Sequence, residues 1–161
     1  MQVEMSIKGI MVDPTTNMPI VLLHDSERQR VLPIWVGVFE ANAIASQIEN
    51  VSPPRPMTHD LLRNVIHDLK AQVEKIVVNE IKDNTFYAII HLNVGGEPMA
   101  IAARPSDAIA LALRVKAPIF AEDQVIDNAK SVEPPPDKGD SERLQRWREE
   151  LDPDELGKYK M

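Results

Sequence analysis

Between residues 73 and 103 the chain leaves itself little topological freedom. A β-branched run over 73–81 leads into Lys82-Asp83-Asn84, a hairpin-turn candidate. Phe86, Ala88, Ile90, Leu92 and Val94 then alternate with Thr85, Tyr87, Ile89, His91 and Asn93. Gly95-Gly96 marks a second tight turn, and residues 99–103 form a further short strand. Such alternation is the period of a strand with one buried face. Turns this short join antiparallel neighbours, because a parallel link needs a dozen residues or more.

The first third also reads as strands. Val3, Met5, Ile7 and Met11 alternate, Asp13-Pro14-Thr15-Thr16-Asn17 is a turn by composition, and Ile20-Val21-Leu22-Leu23 is a continuous apolar run suited to a strand covered on both faces. A polar turn over 24–29 precedes Val31-Leu32-Pro33-Ile34-Trp35-Val36. Pro33 has no N–H for a ladder, which predicts an edge or bulged strand. Helical periodicity begins near Gly37, with Ala41, Ile44, Ala45 and Ile48 on one face. The stiff Ser52-Pro53-Pro54-Arg55-Pro56 loop ends that helix. Thr58 is the expected N-cap of the next, with Leu61, Leu62, Val65 and Leu69 as its buried face. Residues 108–115 are apolar almost all round and predict a deeply buried helix. Pro118-Ile119-Phe120 reads as a short extended piece, and 122–129 as one or two helical turns.

The order is strands, two helices, strands, then a helix. It predicts an α+β fold: a mostly antiparallel or mixed sheet of about six strands packed with three main helices. The expected organisation is a domain over 1–130, a Pro-rich linker over 131–141 and a short helical tail over 142–161, where Leu144, Trp147 and Leu151 share a face. The aromatics Trp35, Phe39, Phe86, Tyr87 and Phe120 are spaced like core residues.

The chain has no cysteine, which excludes disulfides, thiolate metal sites and cysteine nucleophiles. Its formal charge is −7, and residues 1–130 carry 12 Lys/Arg against 16 Asp/Glu. A general basic surface for nucleic acid is therefore absent, and such a contact would need a local patch or several subunits. The start lacks a signal-peptide pattern and no apolar stretch approaches the length of a membrane helix, so a cytoplasmic protein without a membrane partner is expected. Exposed strand edges and the tail suggest a homo-oligomer, a dimer or larger.

Two segments share one grammar: Arg55-Pro56-Met57-Thr58-His59-Asp60 and Arg104-Pro105-Ser106-Asp107. Each sets an arginine and a hydroxyl at a helix start and an aspartate in its first turn. A helix N-terminus beside arginine suits phosphate, which makes Arg55, Arg104, Thr58 and Ser106 candidate phosphate ligands. His59 is a candidate general base oriented by a carboxylate. Glu40, Asp60 and Asp107 lie near element ends and are candidates to orient that base or to hold a divalent ion such as Mg²⁺. The architectural alternative is that the hydroxyls cap, the aspartates complement the helix dipole and the arginines pair with them. Pro105 suits the first helical position, with Ser106 as the alternative cap. No P-loop, dinucleotide fingerprint or GxSxG elbow occurs.

Several ordered blocks together resemble the bifunctional nuclease family. They are Leu32-Pro33-Ile34-Trp35-Val36-Gly37 with Glu40-Ala41 and Ala43-Ile44-Ala45, Arg55-Pro56-Met57-Thr58-His59-Asp60-Leu61-Leu62, Asp83-Asn84-Thr85-Phe86-Tyr87-Ala88, and the block from Ala103-Arg104-Pro105-Ser106-Asp107 to Ala112. The resemblance covers roughly residues 3–130. It implies a nuclease that hydrolyses phosphodiester bonds of DNA and RNA, with nucleic acid as partner. The alternative is a non-catalytic module binding a phosphate ligand or a protein. Two departures stand out: the family often has an acidic residue where this chain has Ala102, and glycine where it has Lys70.

Overall fold

The structure is a computed structural model that describes residues 1–129. The expected linker and tail lie outside the described residues. Seven strands and four helices follow in the order β1 (Gln2–Val12), β2 (Pro19–Asp25), β3 (Arg30–Trp35), α1 (Val38–Ile48), α2 (Thr58–Asp68), β4 (Ala71–Lys82), β5 (Thr85–Val94), β6 (Glu97–Ala103), α3 (Pro105–Val115), β7 (Ile119–Glu122) and α4 (Asp123–Asn128). The α+β class stands, with one strand more than expected.

All seven strands form one sheet in the order β3-β2-β1-β7-β4-β5-β6. The predicted meander is present. Asp83 and Asn84 take φ of 53° and 60°, and Gly95 and Gly96 take 59° and 89°, the left-handed values that two-residue hairpin turns require. Pro33 lies on the edge strand β3, as its missing N–H demands. The extended piece at Ile119 is the seventh strand. It inserts at the centre of the sheet, antiparallel to β1 and parallel to β4, and this pairing joins the N-terminal hairpins to the meander.

The core-facing row of β5 (Phe86, Ala88, Ile90, Leu92) packs with α3, whose Ala108 to Ala112 are all buried. Helix α1 lies against α3 and β2, α2 lies against α3, and α4 covers β4, β7 and β3. Arg30, buried on β3, fixes α4 in place. It donates to Asp25 at 2.8 and 3.0 Å, to Asp123 at 2.9 Å and to Asp127 at 3.0 Å.

Three expectations fail here. Thr58 is not a cap: Met57 is the N-cap of α2, and the Asp60 carboxylate accepts its backbone N–H at 2.9 Å. Ile48 is exposed although it continues the apolar periodicity of α1. The expected buried face of α2 is turned outward, with Leu61, Leu62, Val65 and Leu69 all exposed. Its inward side carries the buried Asp60 instead. Periodicity marks an apolar face but does not say which way it points, and here a buried ion pair decides.

Lys70 ends the α2 segment with φ of 65°, the left-handed conformation that a Cβ disfavours. A glycine at this position would remove that cost. Lys70→Gly is expected to stabilise the fold by about 1 kcal/mol, read as a higher thermal midpoint. An unchanged or lower midpoint would refute this account of the position.

Candidate functional site

Three helix starts meet at one place, and each brings an acidic residue in its first turn: Glu40 on α1, Asp60 on α2 and Asp107 on α3. Carboxylates are favoured there by the positive end of the helix dipole. Arg104 is the N-cap of α3 and Pro105 its first residue, which removes Ser106 as the alternative cap.

Arg104 is the hub. Its Nε donates to Asp107 Oδ2 at 2.9 Å and its Nη2 to Asp107 Oδ1 at 3.1 Å, a two-pronged fork. Its Nη1 lies 3.1 Å from Glu40 Oε1. A guanidinium has five N–H donors, so this pairing leaves about two for an incoming anion. The side chain is half exposed. The bond to Asp107 does most to raise the Arg104 pKa, with the charges of Asp107 and Glu40 adding to it, so the residue stays cationic.

Asp107 also meets His59, whose Nε2 lies 2.9 Å from Asp107 Oδ1. Burial works to raise the Asp107 pKa, but Arg104 and His59 outweigh it and hold the carboxyl below its ordinary value. An ionised carboxylate only accepts, so Nε2 carries the proton that it donates. The lone pair of the neutral ring is then on Nδ1. An Arg104–Asp107–His59 chain thus fixes the tautomer and orientation of the histidine. Gly37 contributes through what it lacks, because a Cβ there would run into the Glu40 carboxylate.

Asp60 belongs to a different, buried pair. Arg114 Nε donates to its Oδ1 at 2.7 Å, and Arg114 Nη1 donates to the carbonyls of Ala43 at 3.1 Å and Ala110 at 3.0 Å. One guanidinium therefore binds α1, α2 and α3 together. Burial works to raise the Asp60 pKa, and the Met57 N–H and Arg114 more than offset it, so the net shift is downward. Asp107 and Arg114 stand seven residues apart on α3, about 10 Å along the axis, and the adjacent His59 and Asp60 reach one each.

The structure thus gathers Arg104, Asp107, His59 and Glu40, with Asp60 one residue away serving the architecture. Ser106 is buried, and its Oγ has no hydrogen-bond partner. Thr58 and Arg55 are exposed on the approach to α2. Of the carboxylates expected to hold a divalent ion, Glu40 and Asp107 share Arg104 while Asp60 is held by Arg114, and among the described residues no three His, Asp or Glu side chains are grouped to bind a metal. Position 102 lies opposite Ile89, on the sheet face turned away from the helices, so a carboxylate there would not reach this cluster. His91 lines a separate cleft of about 400 Å³ with Lys75, Asn93 and Met99.

Sequence reasoning missed two contributors. Arg114 had a signal, as the one charge in the otherwise apolar run over 108–115, where a buried charge requires a partner. Phe39, expected in the core, is 86% exposed in the first turn of α1, beside Glu40; nothing in its spacing marked it.

A family profile described as "Bifunctional nuclease domain" matches residues 21–134. The chain is 38% identical over 157 residues to an uncharacterized protein of Mycobacterium tuberculosis, covering 98% of this chain and 90% of that one. It is 29% identical over 120 residues to "Bifunctional nuclease 2" of Oryza sativa subsp. japonica, and 26% identical over 129 residues to "Bifunctional nuclease 1" of the same plant. These matches span 71% and 77% of this chain but only 37% and 39% of the rice proteins.

Replacing Arg114 by methionine strands the buried Asp60 carboxylate, and is expected to cost about 3–5 kcal/mol in denaturant unfolding. Adding Asp60→Asn should recover part of that loss. Because the Asp60 and Asp107 pKa values are lowered in the fold, their contribution is complete above the ordinary carboxyl value of 3.8 and is lost as pH falls through the folded values. Unfolding free energy should therefore fall with pH below about 4, and less steeply in the Asp60→Asn, Arg114→Met double variant.

Proposed function

We propose a nuclease function from a plain premise: the chain belongs to the bifunctional nuclease domain family. It hydrolyses phosphodiester bonds of DNA and RNA. The observation that carries the proposal is the Arg104–Asp107–His59 chain at the start of α3. Arg104 uses its free N–H groups to hold the phosphate and to stabilise the charge that grows on its oxygens during attack. His59 Nδ1 takes the proton from the attacking water, whose oxygen forms the new bond to phosphorus as the bond to the leaving oxygen breaks. A proton from solvent neutralises the leaving group, and Asp107 stabilises the imidazolium in the meantime. Exposed Arg55 supports a neighbouring phosphate, and Phe39 offers a ring on which a base can stack.

Cleavage of labelled single-stranded DNA and RNA by purified protein tests this. His59→Ala should lower kcat roughly 10²–10⁴-fold. Arg104→Ala should lower it by about 10²–10³-fold. Phe39→Ala should act on KM instead, by roughly 5–100-fold, as expected for one lost stacking contact. Cleavage that survives His59→Ala and Arg104→Ala unchanged would defeat the assignment of the site.

A second reading has its own support. Glu40 and Asp107 already occupy much of Arg104, and the chain carries a net charge of −7. A regulatory module that binds a phosphate-bearing ligand without turnover is consistent with both. It predicts saturable nucleotide binding by calorimetry, abolished by Arg104→Ala, with substrate recovered intact.

A further inference from the structure

Hydrolysis of a phosphodiester changes the charge that the site must hold. A phosphodiester inside a strand is a monoanion. When water replaces the leaving oxygen, that oxygen takes up a proton and the new P–OH, with a pKa of about 6, releases one, so the terminal phosphate carries nearly two charges at neutral pH. The group at the start of α3 already has an excess of negative charge. Glu40 and Asp107 set two carboxylates against the one guanidinium of Arg104, with His59 a neutral donor to Asp107. Among the described residues no second Lys or Arg pairs with either carboxylate. Asp107 alone grips Arg104 with two bonds, so Glu40 is the charge left over. Its place is nevertheless built. It stands in the first turn of α1 with 19% of its side chain exposed, and Gly37 leaves the room that its carboxylate fills. A phosphate arriving at the half-exposed Arg104 meets Glu40 as a fixed neighbour, not as a group it can push into solvent.

We propose that Glu40 is a specificity residue, whose charge lets the site take the monoanionic phosphodiester inside a strand and turns away the dianionic monoester at its end. This selection rests on the nuclease reading and names which phosphate that site takes. The product of each cut is a terminal monoester, so the carboxylate that tolerates the substrate also drives the product off. Coulomb repulsion is proportional to the charge on the ligand. At about 6 Å in water-like surroundings, Glu40 weakens binding about 3-fold for one ligand charge and about 10-fold for two. The second factor is the square of the first. Neither a steric clash nor lost packing produces that relation.

Two probes isolate the charge: thymidine 5′-monophosphate and its methyl ester, which differ by one methyl group and one ionisation. Their affinities for the full-length protein are read at neutral pH from NMR shifts of the backbone amides at the start of α3. The wild type should bind the methyl ester more tightly. Glu40→Gln keeps the size of the side chain and removes its charge. It should tighten the methyl ester about 3-fold and the monophosphate about 10-fold. Equal gains on both probes overturn the proposal. So does weaker binding of both, which would make Glu40 a positioning residue for Arg104. A wild type that prefers the monophosphate, or that binds neither probe, overturns it as well. If Glu40→Gln does not fold, a salt series on the wild type decides. Screening should narrow the advantage of the methyl ester, and an advantage that salt leaves unchanged overturns the proposal. Cleavage of single-stranded DNA, measured on the same protein, separates this selection from the nuclease reading. No cleavage with the binding order intact removes the nuclease and leaves the selection standing; cleavage with equal gains does the reverse.

Discussion

The buried pair of Arg114 and Asp60 sets the orientation of everything around the candidate site. An ionised carboxylate and a guanidinium can be buried only if their hydrogen-bonding capacity is filled, and here it is. Asp60 receives Arg114 and the Met57 N–H, while Arg114 also serves the carbonyls of Ala43 and Ala110. Two charges thereby join three helices. They also hold the Asp60 side of α2 inward, where the partly buried Ile66 packs on the core. The apolar side then has nowhere to go but outward, so the exposed stripe is a consequence of the ion pair rather than a separate oddity.

The same constraint builds the site. Asp60 and His59 are adjacent, so the contact that buries one also delivers the other to Asp107. Three acidic helix starts and two arginines within a small volume would be unstable if the charges were left unmatched. The pairing resolves this by giving Asp60 to Arg114 and sharing Glu40 and Asp107 on Arg104. Only the second group keeps exposure to solvent. The two arginines of one helix segment are thus divided by exposure, Arg114 buried among three helices and Arg104 half open to solvent.

Much of this was legible in the chain. The hairpin turns, the edge placement of Pro33 and the buried α3 all follow from local chemistry that the fold does not override. What was not legible depends on long-range choices. The extended piece at Ile119 showed locally, but its place as a strand at the sheet centre comes from pairing with β1 and β4. The apolar row of α2 is correctly periodic, yet its direction is decided by Arg114, more than forty residues later. Asp60 and Asp107 occupy the same kind of position in the first turn of a helix, and only their different partners separate them.

The site also depends on a turn far from it in sequence. Arg104 follows directly on β6, whose register places Ala103 opposite the core-facing Ala88 and Ala102 opposite the outward Ile89. A shift of one residue in that ladder would exchange the two faces. Arg104 would then leave the helix side of the sheet, away from Glu40 and Asp107. The register is set by the two-residue turn at Gly95-Gly96, where both residues need positive φ. The glycine pair therefore belongs to the machinery that aims Arg104, although it touches no residue of the site.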